Sequence, residues 1–455
     1  MIRPYSLSEA AWWFGATPTG AEGTFSSVST DTRSLQPGDL FVALRGENFD
    51  GHRFLADAAR AGAVAAVVEQ ANPELPLPQL VVADTTRALA DIALANRLES
   101  RARVVAVTGS SGKTTVKEML ASMLALQGAT LATQGNLNNH IGAPQTLFRL
   151  APEHEFAVIE LGASAVGEIA HTVAMTRPEV SIITNAGEAH LEGFGSYQNI
   201  VFGKGEIIDG VSAQGTVVLN ADDPACETWR ARAGQRQVMT VSRHAGVDAD
   251  YRIERHTVDA QGQHFTVAGP HNWEAELTLP LSGEHNLTNA LLAIAAVRAF
   301  GLPDEAVRQG LASLQAVKGR LQLITLAPGV DLIDDSYNAN PTSMKAALSV
   351  LAQRPGRRIA VLGAMAELGP DSLRLHEEVG AWAHNLGIEH CLVVGPGTDG
   401  YRKGFGPKTD ACVSHSDAVE QLINQLDAPV TVLVKGSRSA AMDRVVDGIK
   451  ERMKR

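Results

Sequence analysis

At 455 residues the chain is too long for one ordinary core, and about three domains is the natural expectation. Apolar residues make up 45% and charged residues 20%, the balance of a globular protein rather than a disordered or membrane-spanning one. A net charge of −11 argues against a general binder of nucleic acid or anionic membrane, because no basic surplus exists to neutralise a phosphate polymer; a small anion held by glycine loops and single lysines stays compatible.

The three cysteines (Cys226, Cys391, Cys412) lack metal spacing, and their odd number fits a reducing interior. The short apolar piece Trp12–Phe14 has no basic cluster before it. The longest apolar run, Ala290–Val297, falls far below the roughly 20 residues that cross a bilayer. A cytoplasmic monomer with no membrane or nucleic-acid partner is the expectation.

In the first ninety residues, Asp39–Leu44 reads as a strand introduced by the turn Pro37-Gly38. Phe54–Ala61 follows as a short helix, with strands at Ala63–Val68 and Gln79–Ala83, so the unit is a small α/β layer. Two polar clusters lie between them: Ser29-Thr30-Asp31-Thr32-Arg33, and Arg45 through His52 with Gly46, Glu47, Asn48, Asp50 and Gly51. Hydroxyls, an arginine and glycine-rich backbone at strand ends can hold a nucleotide diphosphate and its sugar. Ordinary surface loops would read the same way. Asn72–Pro78 is a proline-rich connector, and Asp84 caps a helix to Arg97 that leads into the next unit.

The stretch Val104–Val116 carries the sharpest signal. Val104–Val107 looks like a buried parallel strand, Gly109 and Gly112 make a tight turn, and Lys113, Thr114 and Thr115 open a helical segment. Backbone N–H groups of Gly109, Ser110, Ser111 and Gly112 can close on phosphate oxygens, the helix N-terminus adds positive charge, and Lys113 reaches the terminal phosphates. A hydroxyl at Thr114 or Thr115 completes a magnesium shell. The usual phosphate loop has four residues between its first glycine and the Gly-Lys pair; only Ser110 and Ser111 intervene here. The segment reads as an ATP-binding loop of an unusual, shortened subclass.

The run Gly135–Gly142 is dense in asparagine and glycine, hence a loop that carries amides, among them Asn138 and Asn139. Phe156–Leu161 is a strand broken by Glu160 at its carboxyl end, where an open parallel sheet gathers ligands. A carboxylate there is expensive to bury unless it meets a cation, so Glu160 is a magnesium-ligand candidate, with a structural ion pair as the alternative. His190 lies just past another strand, Val180–Thr184, and the two positions together favour a metal over a merely satisfied histidine. Lys204, between glycines and just before a helix, reads as a solvated surface charge. Thr216–Asn220 makes a further strand. Gly283–Asn289 starts the helix Ala290–Phe300 and places His285, Asn286 and Asn289 where adenine or its phosphates bind, although plain capping explains one asparagine equally well.

Beyond about residue 314, strands at Val330–Asp334, Arg358–Leu362, Cys391–Val394 and Thr431–Val434 alternate with helices at Ser343–Leu351 and Leu373–Leu386 and a last one to about Lys450. This is a doubly wound unit with polar strand ends. Gly395-Pro396-Gly397 is weak evidence for a dinucleotide, since the proline interrupts the loop.

These pieces in this order resemble the Mur ligases, ATP-dependent amide-forming enzymes of cell-wall precursor synthesis. The resemblance rests on T-G-S-S-G-K-T-T, Glu160-Leu161-Gly162, Asn185…His190, Lys204-Gly205-Glu206, Gly283…Asn289 and the run Asp334-Asp335-Ser336-Tyr337-Asn338-Ala339-Asn340-Pro341. It implies a three-domain α/β protein: an N-terminal domain (1–85) for a UDP-sugar, a central phosphate-loop ATPase domain with a mainly parallel sheet (86–313), and a C-terminal Rossmann-like domain (314–455). The cofactors implied are ATP and Mg²⁺, and the substrates UDP-N-acetylmuramoyl-tripeptide and D-alanyl-D-alanine. The chemistry implied is acyl-phosphate formation followed by amide formation. A sister ligase adding a single amino acid, or a regulatory nucleotide switch without ligase activity, are the rival readings.

Residue by residue, the resemblance implies that Lys113 holds the ATP phosphates, that Thr114, Glu160 and His190 hold magnesium, and that Lys204 is carbamylated and binds a second ion. His285, Asn286 and Asn289 would face adenine, with Arg320 and Asp335 reaching ATP from the third domain. Ser29, Thr30, Asp31, Arg33, Gly46, Asn48, Asp50, Gly51 and His52 would bind the UDP-sugar. Asn138, Asn139, Asn338, Asn340, Lys435, Ser437 and Arg438 would contact substrate, although a surface turn suits the last three nearly as well. Ala364 stands where the family usually carries an aspartate, so any role of that aspartate is absent, while Glu367 and His376 remain.

Overall fold

The computed structural model describes residues 1–454 apart from Thr17, Glu47, Ala245, Ala260 and Ala428. Three principal sheets follow one another along the chain. The first runs Pro18–Thr19, Gln79–Val81, Ala65–Val68, Leu40–Val42, Val28–Ser29, with every neighbour parallel except the first pair. It matches the expected small α/β unit. A helix that the pattern did not suggest, Leu7–Phe14, precedes it, closed by a reciprocal capping box between Ser6 and Glu9.

The helix Thr85–Glu99 is capped as expected: Asp84 Oδ1 accepts from Thr86 N at 2.8 Å and Arg87 N at 3.1 Å. One of its side chains ties two units together. Asn96, fully buried, accepts from Ile2 N and Tyr5 Oη and donates to the carbonyls of Leu147 and Leu150. The apolar core beneath runs unbroken from Leu40, Val67 and Leu80 through Leu89 and Ile92 to Val104 and Ile159. Each such fully buried aliphatic side chain contributes about 1.5–3 kcal/mol.

The central sheet has nine strands. Thr130–Ala132, Phe156–Glu160, Arg103–Thr108, Val180–Ile183, Thr216–Asn220 and Gln237–Ser242 are parallel neighbours in that order. Arg103–Thr108 sits where the chain changes direction across the sheet, and the crevice outside its carboxyl end is where such sheets take ligands. A ribbon of Tyr251–Asp259, Gly262–Gly269 and Trp273–Leu279 extends one edge, its last two strands antiparallel to their neighbours. Its first strand is exposed along most of its length, so no apolar face announces it.

The six-stranded third sheet runs Gln322–Ala327, Val330–Asp335, Val430–Lys435, Arg357–Gly363, His390–Val394, Thr409–Cys412. Only its first pair is antiparallel. Its two faces carry cores of their own, around Leu348 and Leu375 and around Val432 and Val446. Helices Asp399–Phe405 and His415–Ile423 and the strand Thr409–Cys412 add to the elements expected there.

One local expectation is overturned. Lys204 does not precede a helix as a solvated charge; it lies in the last turn of the helix Tyr197–Gly205 and is 1% exposed. The flanking glycines serve packing rather than turning: a Cβ at Gly203 would press 2.7 Å from the Phe194 ring, and one at Gly205 would sit 3.1 Å from the Trp229 indole.

Candidate active site

A cavity of about 720 Å³ opens at the carboxyl end of the central sheet and is roofed by the third domain. The loop after Arg103–Thr108 forms its floor. Gly109 (φ +148°) and Gly112 (φ +81°) adopt backbone that a side chain resists. There is no room either, since a Cβ at Gly109 would collide with Thr184 Oγ1 and one at Gly112 would lie 2.5 Å from Asn289 Oδ1. Asn185 holds the loop from the next strand, its Oδ1 accepting from Ser111 N at 3.0 Å and from Ser111 Oγ at 3.2 Å. Ser110 Oγ donates to Gly187 O at 3.0 Å and accepts from Gly187 N at 2.9 Å.

Lys113 opens the helix Lys113–Ala125 and folds back, its Nζ donating to Gly109 O at 2.7 Å. Burial pulls this amine below the ordinary lysine range, against the opposing pull of Glu160. Thr114 Oγ1 donates to Glu160 Oε2 at 2.8 Å, and Asn138 Nδ2 donates to Glu160 Oε1 at 2.8 Å. Glu160 thus meets no cation at bonding distance among the described residues; both its oxygens are held by neutral donors from two other segments. Thr115 lines the same cavity. Asn139 is spent locally, its Oδ1 accepting from Ile141 N and Gly142 N.

His190 also lines the cavity, in left-handed backbone (φ +57°). Its Nδ1 meets Glu367 Oε2 from the third domain. Lys204 Nζ donates to Ala163 O at 3.2 Å and lies 5.2 Å from the Phe194 ring centre. Burial pushes its amine well below the normal lysine range, and Lys113 adds to the effect. Glu206, from the same motif, instead accepts from Gly167 N and Ala170 N at the head of the helix Glu168–Thr176.

On the opposite wall, His285, Asn286 and Asn289 occupy the first turn of the helix His285–Ala299. Asn289 Nδ2 donates to Asn286 Oδ1, and Asn286 Nδ2 to Ser282 O. Burial, with Lys435 and Arg243 assisting, pushes the His285 imidazole down to about 4. From the third domain, Asp335 Oδ2 pairs with Lys435 Nζ at 2.6 Å, and Lys435 Nζ also donates to Asn338 O at 2.9 Å. Arg320 lies 4.4 Å over the Tyr337 ring, with Arg438 at 5.9 Å. Asn340 caps the helix Pro341–Ala352 and donates from Nδ2 to Ser110 O at 3.4 Å. Ser437 is buried against Ser439, and Arg438 is largely exposed.

The N-terminal residues are not brought to this cavity. Ser29 and Asp31 bond to each other, and the exposed Arg33 pairs with Asp31, whose carboxyl is held down at about 2 by that guanidinium. Thr30 accepts from Gln145 of the central domain at 3.4 Å. Gly46 and Asn48 lie in the hairpin of Arg45–Gly46 and Phe49–Asp50, in which Glu47 lies outside the described residues. Asp50 caps the turn Gly51–Phe54 and accepts from His52 Nδ1 at 2.8 Å; Glu69 N donates to His52 Nε2 at 2.8 Å. Both nitrogens of His52 are therefore used by the protein itself. Tyr337 and Asn185 also line the cavity; both stand in the quoted motifs, although the sequence pattern assigns neither side chain a role.

The shortened loop, the carboxylate at the next strand's end and the third-domain roof define a nucleotide-dependent ligase architecture, and the chain belongs to the Mur ligase family. The Mur ligase family catalytic domain matches residues 24–97, the Mur ligase middle domain 107–297, and the Mur ligase glutamate ligase domain 319–438. A relative from Escherichia coli strain K12, named UDP-N-acetylmuramoyl-tripeptide–D-alanyl-D-alanine ligase, is 46% identical over 438 residues, covering 95% of each chain. A Bacillus subtilis protein of the same name is 35% identical, covering 96% of this chain and 95% of its own. The crystal structure of MurF from Acinetobacter baumannii superposes with a TM-score of 0.93 at 35% identity, covering 99% of both chains. MurF ligase from Thermotoga maritima, solved in complex with ADP, gives 0.86 at 28% identity over 94% of this chain and 98% of its own.

Proposed function

We propose that this chain is an ATP-dependent ligase that joins D-alanyl-D-alanine to UDP-N-acetylmuramoyl-tripeptide in peptidoglycan precursor synthesis. The observation that carries the reading is full-length identity of 46% to a relative of that name. Behind it stands one cavity that gathers Lys113, Glu160, His190 and the third-domain roof.

In this reading the tripeptide's terminal carboxylate oxygen attacks the γ-phosphorus of ATP, the β–γ bridging bond breaks, and ADP leaves. The dipeptide amine then attacks the acyl carbon, loses a proton, and the tetrahedral adduct expels phosphate. No protein nucleophile is needed. Catalysis is positioning and cancellation of negative charge by Lys113 and the amides of residues 109–112. His285, Asn286 and Asn289 form the nucleoside side, with Arg320 and Asp335 closing over it.

Thr114 and Glu160 offer hard oxygen donors 2.8 Å apart, the donor chemistry magnesium prefers. Among the described residues no group of three acidic, histidine or cysteine side chains stands ready to hold a metal ion. Thr114, Glu160 and His190 would hold magnesium, which supplies charge neutralisation on the transferring phosphoryl group. Lys204, buried and held toward its neutral form, would react with carbon dioxide to give a carbamate, a further anionic oxygen donor.

The units 1–85, 86–313 and 314–455 then divide the work among UDP-sugar, ATP and dipeptide. Ser29, Thr30, Asp31, Arg33, Gly46, Asn48, Asp50, Gly51 and His52 form the UDP-sugar face, away from the cavity; Asn338, Lys435, Ser437 and Arg438 form the dipeptide side. We take the cytoplasm as the place of work on the strength of the ligase reading alone; among the described residues no helix is long and apolar enough to cross a membrane. The test is mass spectrometry of products after incubation with ATP and either UDP-muramoyl-tripeptide plus D-alanyl-D-alanine or UDP-muramoyl-dipeptide plus diaminopimelate or lysine. The tripeptide extended by two alanines is the expected product; extension by diaminopimelate or lysine from a precursor dipeptide, or phosphate release without any acceptor, overturns the reading.

A further inference from the structure

His190 belongs to the central domain, yet the group that touches its ring comes from the third. Nδ1 of His190 meets the Glu367 carboxylate, and Glu367 also accepts from Glu192 N at its backbone carbonyl, 3.1 Å away. His190 is the N-cap of a short helix, Leu191–Phe194, which contains Glu192 and whose Leu191 packs against the third domain's core. Both His190 (φ +57°) and Glu367 (φ +59°) stand in left-handed backbone, which non-glycine residues occupy at a cost of about 1–3 kcal/mol and keep only where the surroundings impose it.

Those surroundings are visible for Glu367. Its loop is pinned at every turn: Tyr401 Oη donates to Gly363 O at 3.1 Å, Ser437 N to Ala364 O at 3.0 Å, and Met365 N to His376 Nε2 at 2.9 Å. His376, fully buried, completes the brace by donating from Nδ1 to Ser372 O at 2.6 Å. A loop so anchored presents its one projecting carboxylate in a fixed place.

We propose that Glu367 is a positioning residue that acts through His190: the third domain supplies the carboxylate that fixes the tautomer and orientation of a central-domain imidazole, so that the ring is set only when the two domains are together. A histidine whose Nδ1–H is held by a carboxylate presents Nε2 as its free lone pair, and such outer partners typically alter affinity or activity by about 10–100-fold. The proposal rests on the ligase reading for the consequence of orienting His190, but not for the contact itself. It couples domain closure to site assembly without any moving lid.

The test uses the full chain saturated with ADP, with ¹⁵N-labelled histidine. Wild type should show the His190 ring as the Nδ1–H tautomer, identified by loss of its signals in His190→Asn; Glu367→Ala should lose that tautomer, while Glu367→Gln, whose amide oxygen still accepts, should keep it. In turnover, Glu367→Ala should lower kcat about 10–100-fold with KM for ATP little changed. In a His190→Ala background the same substitution should cost less than about twofold, the behaviour of two residues acting as one. An unchanged His190 tautomer in Glu367→Ala, or an equal loss in both backgrounds, overturns the proposal. If wild type makes no product at all, the ligase reading fails while the spectra still decide the contact. Should Glu367→Ala unfold, Glu367→Gln against Glu367→Lys supplies the same comparison.

Discussion

Asp335 and Lys435 face each other across neighbouring strands, in register, with their charged groups 2.6 Å apart and both side chains buried. Removing one member strands the other without water. Lys435→Met should therefore destabilise the third domain by about 3–5 kcal/mol, and adding Asp335→Asn should recover most of that loss. Chemical denaturation of the single and double variants checks both halves; equal stability of Lys435→Met and wild type would contradict the buried pair.

Among the described residues Lys113 is the one amine bonded back onto the glycine loop. If its charge meets the phosphates in the transition state, Lys113→Ala should cut the rate of phosphate release about 10²–10³-fold, the loss seen when one preorganised donor is removed. Full ligation by that variant would remove the loop from the mechanism.

Gly109→Ala would place a methyl group on Thr184 Oγ1 in backbone already unfavourable to side chains. Strain of about 1–3 kcal/mol should surface as ADP binding weakened roughly tenfold or more. Titration calorimetry reads this directly, and an unchanged affinity would mean that nucleotide does not use the turn.

Lys204 is a buried amine that burial holds toward its neutral, nucleophilic form. Enzyme stripped of bicarbonate should lose activity and regain it on adding bicarbonate back, whereas Lys204→Ala should be inactive under both conditions. Turnover indifferent to bicarbonate would leave Lys204 a free amine.

His285 has its imidazole pushed down to about 4 from an ordinary 6.5. The unfolded chain therefore binds a proton that the folded one refuses, and stability rises with pH through that window. Between pH 4 and 6.5 the slope from this group approaches about 1.4 kcal/mol per pH unit. Urea unfolding of wild type and His285→Gln should diverge in slope there and run parallel above pH 7.

Much of the fold was legible because the parallel strands are nearly continuous apolar runs: Thr216–Asn220 was read at its observed bounds, and Asp84 as a helix cap was a local signal. The glycine loop was legible for the same reason, as strand, turn and helix start lie within thirteen residues. Lys204 was misread because Gly203 and Gly205 look like turn residues, and nothing nearby in the chain reveals that Phe194 and Trp229 fill their missing side chains. In the ribbon from Tyr251 to Leu279 the first strand buries little and shows no apolar face, whereas Trp273–Leu279 does alternate buried and exposed residues, a pattern legible in principle. The partnership of His190 with Glu367 spans 177 residues and two sheets, beyond the reach of any local pattern.

The unbroken core that joins Leu40 to Ile159 through Asn96's helix has a mechanical consequence. The first two units form one body, since prying them apart would wet aliphatic surface and strand an asparagine. The roof meets that body through polar contacts, Asn340 on Ser110 and Glu367 on His190 and Glu192, and through Leu191, which packs against the third domain's own core. Parting that seam would wet far less apolar surface than parting the first two units, so the third unit is the one whose displacement would cost least.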